Sequence, residues 1–160
     1  MQKSAAAIVA GVAAAGALLA GSRFNPGPQH PGTALWYARL EKPDFTPPGP
    51  VFGLAWTALD GLLGYTGYRL LTRRRSIARR WALGAWLLTL FGIPAFSWRF
   101  FGGHRSDEAL GVSATMLASS VGLTAAASEV DRNAMIASAP LIAWLIFATA
   151  LQEEVWRRNR

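Results

Sequence analysis

Five stretches of this chain are almost free of charge, and they leave little freedom in how it folds. Residues 4–22, 51–71, 81–98, 109–128 and 134–151 form runs of 19, 21, 18, 20 and 18 residues. Within these 96 positions only Asp60 and Arg69 are charged, and the other 23 charges crowd into the remaining 64. A soluble helix needs a polar outer face. A helix that is apolar on every side belongs in lipid, where about 20 residues cross the hydrocarbon core. Only helices and closed barrels satisfy their own backbone there. The expected fold is therefore an all-α integral membrane protein. It is a single domain, residues 1–160, built as a bundle of five transmembrane helices over these stretches.

Composition agrees with this reading. Charged residues make up 16% of the chain, against about 25% in a typical soluble domain. Mean hydropathy is +0.24. The absence of cysteine excludes a disulfide scaffold, a zinc-thiolate site and a thiol nucleophile. At 52% hydrophobic, the chain is too apolar for intrinsic disorder.

The first stretch has an alternative reading. Met1, Gln2 and Lys3 precede an Ala-rich run, as in a cleaved signal peptide. We read it as a retained helix, because the uncharged run is long for such a peptide and four further spans follow. Its small residues suit close helix approach.

The connections are equally legible. Residues 23–50 form a long first loop, which holds Pro26, Pro28, Pro31, Pro43, Pro47, Pro48 and Pro50. Residues 33–40 inside it suit a short helix started by Thr33. Residues 73–80 are a short basic loop with Arg73, Arg74, Arg75, Arg79 and Arg80. Residues 102–108 and 129–133 complete the set, and loops this short force antiparallel neighbours. Beside a span, a basic loop is a topology signal or a lipid-headgroup contact rather than a nucleic-acid site. Counting Lys and Arg gives eight on each side of the membrane, so orientation is undetermined.

Trp81, Trp98 and Trp156 sit at span ends, as interfacial aromatics do. Trp56, Trp86 and Trp144 lie inside spans, and Trp36 lies in the long loop. Helix–helix packing is the plain explanation for any one of the three within spans. A ligand pocket requires several aromatics to converge with a few polar groups. Trp56 and Asp60 are four apart on one helix face, as are Trp144 and Ala148 on another. Asp60 is the oddest residue. A carboxyl group in mid-span must face the bundle interior or water, and is a functional candidate by default. Reaction machinery is not legible. His30 and His104 begin no metal-ligand spacing, and no phosphate-binding glycine loop occurs.

One long block carries a family resemblance. It runs Trp36, Tyr37, then Lys42, Pro43, Pro47, Pro48, Val51, Phe52, Trp56 and Thr57. This block resembles the signature of the translocator protein family (TspO/MBR, tryptophan-rich sensory proteins). The stretches around Ala95–Gly102 and Pro140–Leu151 resemble the ends of that family's third and fifth helices. The resemblance implies a five-helix bundle, a homodimer as one assembly, and a ligand cavity closed by the first loop. Carried over residue by residue, it implies ligand contacts from Trp36, Tyr37, Trp56, Asp60, Phe96, Trp144 and Ala148. The sequence departs from the family pattern at several positions. Asp60 replaces Tyr or Phe, Ile93 and Gln152 replace Asn, Leu141 replaces Tyr, and Asp44 replaces Trp.

The function so implied is binding, transport or sensing of a planar hydrophobic ligand, either porphyrin or haem, or a sterol-like molecule. No cofactor or metal is required, and partners would be that ligand and membrane lipid, not nucleic acid. The alternatives are an enzyme acting on a bound tetrapyrrole and a regulatory or assembly partner of another membrane protein. The expected location is a multi-pass position in a membrane, with the bacterial inner membrane as the family's common setting.

Overall fold

The computed structural model describes residues 2–160. All regular structure among them is helical. In chain order the helices are α1 (Lys3–Ser22), α2 (Pro31–Arg39), α3 (Gly49–Thr72), α4 (Ile77–Ser97), α5 (Ser106–Ser128) and α6 (Arg132–Arg158). A π-helical turn (Trp98–Gly102) extends α4. The helices overrun the charge-poor stretches at most ends. Charge-poor sequence marks what lies in lipid, whereas a helix can continue into polar surroundings. The clearest case is α6, which carries its last two turns through Glu153, Glu154, Arg157 and Arg158.

Four helical segments are long and apolar enough to cross a membrane: Lys3–Ser22, Ile77–Gly102, Ser106–Ser128 and Arg132–Arg158. At 24 residues α3 has the length, but Asp60, Arg69 and repeated glycines and tyrosines dilute its hydropathy. It nonetheless packs among the other four. Helix contacts close a ring, in the order α1, α3, α6, α5, α4 and back to α1. The short α2 lies outside this ring, in the first loop, against the π turn.

Local signals fix the helix ends. Ser76 caps α4 by accepting from the Arg79 amide at 3.1 Å, and Asp131 caps α6 by accepting from the Ala134 amide at 2.9 Å. Such caps satisfy N–H groups that have no partner within the helix. Sequence places the start of the loop helix at Thr33, but α2 begins at Pro31. Proline suits the first helical position, where no N–H partner is needed.

Packing between the helices relies on small residues and polar cross-links, as expected where lipid supplies no hydrophobic drive. Thr89 pairs with Ser119 at 2.8 Å, Ser113 with Thr149 at 2.7 Å, and Thr124 with Ser138 at 2.8 Å. Trp86 is 3% exposed and donates from Nε1 to the Leu63 carbonyl at 2.9 Å. Its ring covers Gly67, where any side chain would overlap it. Trp86 thus serves packing, whereas Trp81 points outward at 73% exposure, as an interfacial residue would.

The turns between α3 and α4 and between α5 and α6 meet at one end of the bundle. There the Asp131 side chain is 1% exposed and accepts from Arg69 at 2.8 Å and from Arg73. Burial alone would raise the Asp131 carboxyl. Hydrogen bonds from Arg69, the Ala134 amide and Arg73 outweigh it and hold the group at about 2. Beside it, Arg79 donates to the Leu70 carbonyl at 2.7 Å, closing the C-terminal turn of α3.

Candidate functional site

The opposite end of the bundle is hollow. A cavity of about 580 Å³ lies among the C-terminal part of α1, the N-terminal part of α3, the end of α4, the π turn, and the facing parts of α5 and α6. The first loop and α2 contribute Asn25, Pro26, Tyr37 and Thr46 to its lining. This volume falls within the range of ligand pockets, about 300–1,000 Å³.

Two aromatic groups wall it. The first is built on the π turn. Phe96 stacks on Phe100 with centroids 5.6 Å apart, and Phe100 meets Phe101 edge-on at 4.8 Å. Tyr37 packs edge-on against Phe101 at 5.6 Å. In this way α2 joins the wall from above. The second group joins α3 to α6. Trp144 takes Phe52 at 5.7 Å and Trp56 at 6.4 Å, both edge-on, and lies against Phe147 at 5.5 Å. Edge-on pairs add about 0.5–1.5 kcal/mol each beyond the area they bury, and so hold the rings in place.

Tyr37, Trp56, Phe96 and Ala148 all line the cavity. Trp144 and Trp36 stand outside the lining. Trp144 backs Trp56, while Trp36 meets Phe100 edge-on at 5.3 Å and stacks on His104 at 4.1 Å. Asp60 faces elsewhere: it lines a groove between α1 and α3. Phe52, Phe100, Phe101 and Met116 line the cavity too, although the face arguments from sequence do not single them out. No motif announces the π turn that brings Phe100 and Phe101 to the lining together. Such turns recur at functional sites.

Among the described residues, no charged one belongs to the lining. Its polar groups are neutral: Ser22, Asn25, Thr46, Thr57, Ser97, Ser113 and Gln152. Several are already engaged. Thr57 donates to the Gly53 carbonyl at 2.8 Å, Ser113 pairs with Thr149, and Gln152 donates from Nε2 to the Ser106 carbonyl at 3.1 Å. Burial pushes the Tyr37 phenol up, so it stays a neutral donor at physiological pH. No cluster of three or more metal-ligating side chains occurs among the described residues. Chemically, the arrangement offers flat apolar contact with a few hydrogen bonds, and offers no strong acid or base.

The roof is braced within itself and latched to the end of α6. Lys42 donates to the Tyr37 and Leu40 carbonyls at 2.7 and 2.9 Å, with its ammonium over the Tyr37 ring at 4.7 Å. Asn159, just past α6, accepts from the Glu41 amide at 3.0 Å and donates to the Glu41 carbonyl at 2.9 Å. A residue at the end of the chain thereby latches the first loop.

Known proteins share this sequence pattern along most of its length. The chain is 32% identical to the translocator protein of Homo sapiens over 143 residues, which cover 87% of this chain and 81% of that one. Against the tryptophan-rich protein TspO of Archaeoglobus fulgidus it is 34% identical, covering 78% and 80%. With protein CrtK of Rhodobacter capsulatus it shares 29% identity, covering 92% and 89%. The profile of the TspO/MBR family matches residues 6–157, and the chain, a membrane protein with an aromatic-walled cavity under its first loop, belongs to that family.

Proposed function

We propose that the protein binds a planar hydrophobic ligand, of the porphyrin, haem or sterol-like kind, within a five-span bundle, and carries or senses it. The observation behind this reading is the cavity itself. It has two aromatic walls, no charged lining residue among the described residues, and a roof of loop held by Asn159. Aromatic faces suit a flat π-system, and burying its apolar area supplies most of the affinity. The Asn25 amide and the Tyr37 hydroxyl, both in the lining, offer hydrogen bonds. The names of two relatives, a translocator protein and a tryptophan-rich sensory protein, fit carriage and sensing respectively. In this reading α3 is the fifth span, sheltered by α1, α4 and α6, so its polar residues are tolerated.

An assembly factor acting only through its outer helix faces would need no cavity of this size. A tetrapyrrole-degrading enzyme would need product to form with turnover, and no acid–base pair lines the cavity.

Titration of the detergent-purified protein with protoporphyrin, haem and a sterol, followed by Trp fluorescence, tests the reading. Saturable quenching is expected with at least one of the three. Trp56→Ala should weaken it about tenfold or more, a loss of about 1.4 kcal/mol or more. Asp60→Ala should leave it unchanged, because Asp60 lies outside the lining. A folded protein that quenches with none of the three would end this proposal.

A further inference from the structure

Asp60 opens into a second hollow that shares no lining residue with the aromatic cavity. Helices α1 and α3 approach closely, since a Cβ added at Gly64 would stand 3.5 Å from the Ala14 Cβ. Along this crossing runs a groove of about 450 Å³, lined by Ala7, Gly11 and Ala15 of α1 and by Asp60, Gly61 and Tyr65 of α3. A Cβ at Gly11 or Gly61 would meet nothing within 4 Å, so the groove is open there. Ile8 and Val12, which flank Gly11, are 65% and 68% exposed, so the outer surface beside it is apolar.

Asp60 is only 6% exposed, and its Oδ1 is buried with no hydrogen-bond partner. A buried acceptor without a donor is costly, and a carboxylate more so. Among the described residues, none donates to Oδ1. The stretch of α1 facing it is alanine, glycine and aliphatic residues. Arg69, the other charged residue in α3, is held by Asp131 at 2.8 Å and by the Tyr65 hydroxyl at 3.3 Å. The fold thus leaves a small-residue floor, the rings of Tyr65 and Tyr68, and one unmatched acid in a single groove that opens on an apolar surface.

We propose that this groove is a binding site for a lipophilic amine. The protonated nitrogen donates to the Asp60 carboxylate, and the hydrocarbon portion lies along the alanine and glycine floor. An ammonium group satisfies both charge and hydrogen bonding at once, whereas a neutral donor satisfies only the latter. The Tyr65 ring adds an electron-rich face on the same groove. The site is independent of the cavity reading, and either can fail without the other.

The test uses the whole protein in nanodiscs of phosphatidylcholine, which offers no primary amine. A dansyl-tagged long-chain alkylamine and its N-acetylated neutral analogue are titrated in parallel by dansyl fluorescence. Saturable binding of the amine is expected, with the analogue about tenfold or more weaker, since loss of a charge-assisted hydrogen bond is of that order. Asp60→Asn should reduce amine binding towards that of the analogue. Gly61→Leu, which has room for its side chain, should block both probes while keeping the acid. Trp56→Ala should leave amine binding unchanged. If Asp60→Asn does not fold, Gly61→Leu and the comparison of the two probes decide the matter. Equal binding of amine and analogue, or full binding by Gly61→Leu, overturns the proposal. So does efficient Gly11→Cys cross-linking between chains with no amine binding, which would assign the groove to a second copy.

Discussion

The two ends of the bundle solve the same problem by opposite means. Where α3 turns into α4 and α5 into α6, one carboxylate is buried and fully matched: Asp131 takes Arg69, Arg73 and the α6 amide. At the other end the interior is aromatic, hollow and uncharged, and the ion pairs stay at the surface. Arg99 with Glu108 at 2.9 Å and Arg105 with Glu108 at 2.7 Å are examples. Exposed pairs of that sort contribute about 0–1 kcal/mol. The matched end has one geometry, because an ion cluster works only when every partner is in place. The hollow end can admit different contents, because ring contacts tolerate small shifts. Stability should therefore respond at the first end and ligand handling at the second.

The largest expected effect lies at Asp131. Asp131→Ala strands two arginines and removes a helix cap. Arg69 and Arg73 are partly exposed, so water takes up much of their charge, and the loss is that of a helix cap and charge-assisted hydrogen bonds, about 2–4 kcal/mol together. Thermal melting in detergent should drop sharply, while ligand affinity in the surviving folded protein stays the same. The same group sets an acid limit. Its folded value, about 2, lies below the ordinary 3.8. Its contribution is therefore complete above the ordinary value and is lost as pH falls towards 2. The gap between wild type and Asp131→Ala should close over that window in a pH series of melts. A gap that persists at the lowest pH would show that Asp131 acts as a shape-filling residue only.

Next in size is Gly67→Ala. A methyl group there overlaps the Trp86 ring, which is itself held by the Leu63 carbonyl. Overpacking costs about 1–3 kcal/mol, offset by about 1 kcal/mol of better helix propensity. A net loss in melting temperature is expected, and Trp86→Phe should reverse it by freeing space beside Gly67. If Gly67→Ala is neutral, the α3–α4 contact is looser than the matched end requires.

Much of this division is readable in sequence, and the unread part has identifiable causes. Uncharged runs mark the helices because lipid excludes charge, and of the positions the resemblance implies, Tyr37, Trp56, Phe96 and Ala148 lie in the cavity lining while Trp36, Asp60 and Trp144 do not. Helical spacing also puts Asp60 on the face of Trp56, but the α3 lining ends at Thr57. Deeper along α3, α1 comes close enough to give that face a different neighbour. The partners of Asp131 lie 62 and 58 positions earlier in the chain, and no local pattern connects them. The π turn is equally silent, since Trp98–Gly102 carries no residue that demands it.

The smallest expected effect is at Asn159, and it is the sharpest test of the contrast. Its two hydrogen bonds to the Glu41 backbone join the roof to the end of α6 on the exposed surface. A net hydrogen bond contributes about 0.5–1.5 kcal/mol, and less where water can replace it. Asn159→Ala should therefore barely move the melting temperature. The roof, however, has few other ties: Lys42 bonds only within the loop, and α2 rests on the π turn through ring contacts. A small loss there changes how often the roof opens. Under the proposed function, stopped-flow release of the ligand that quenches Trp fluorescence should quicken by about threefold to tenfold, the rate equivalent of about 0.7–1.4 kcal/mol, with association changed in the same direction. Asn159→Gln, which keeps the amide but displaces it by one methylene, should fall between. An Asn159→Ala protein that melts early but releases ligand at the wild-type rate would mean that the hollow end, too, is held by its polar ties, and the contrast between the two ends would fail.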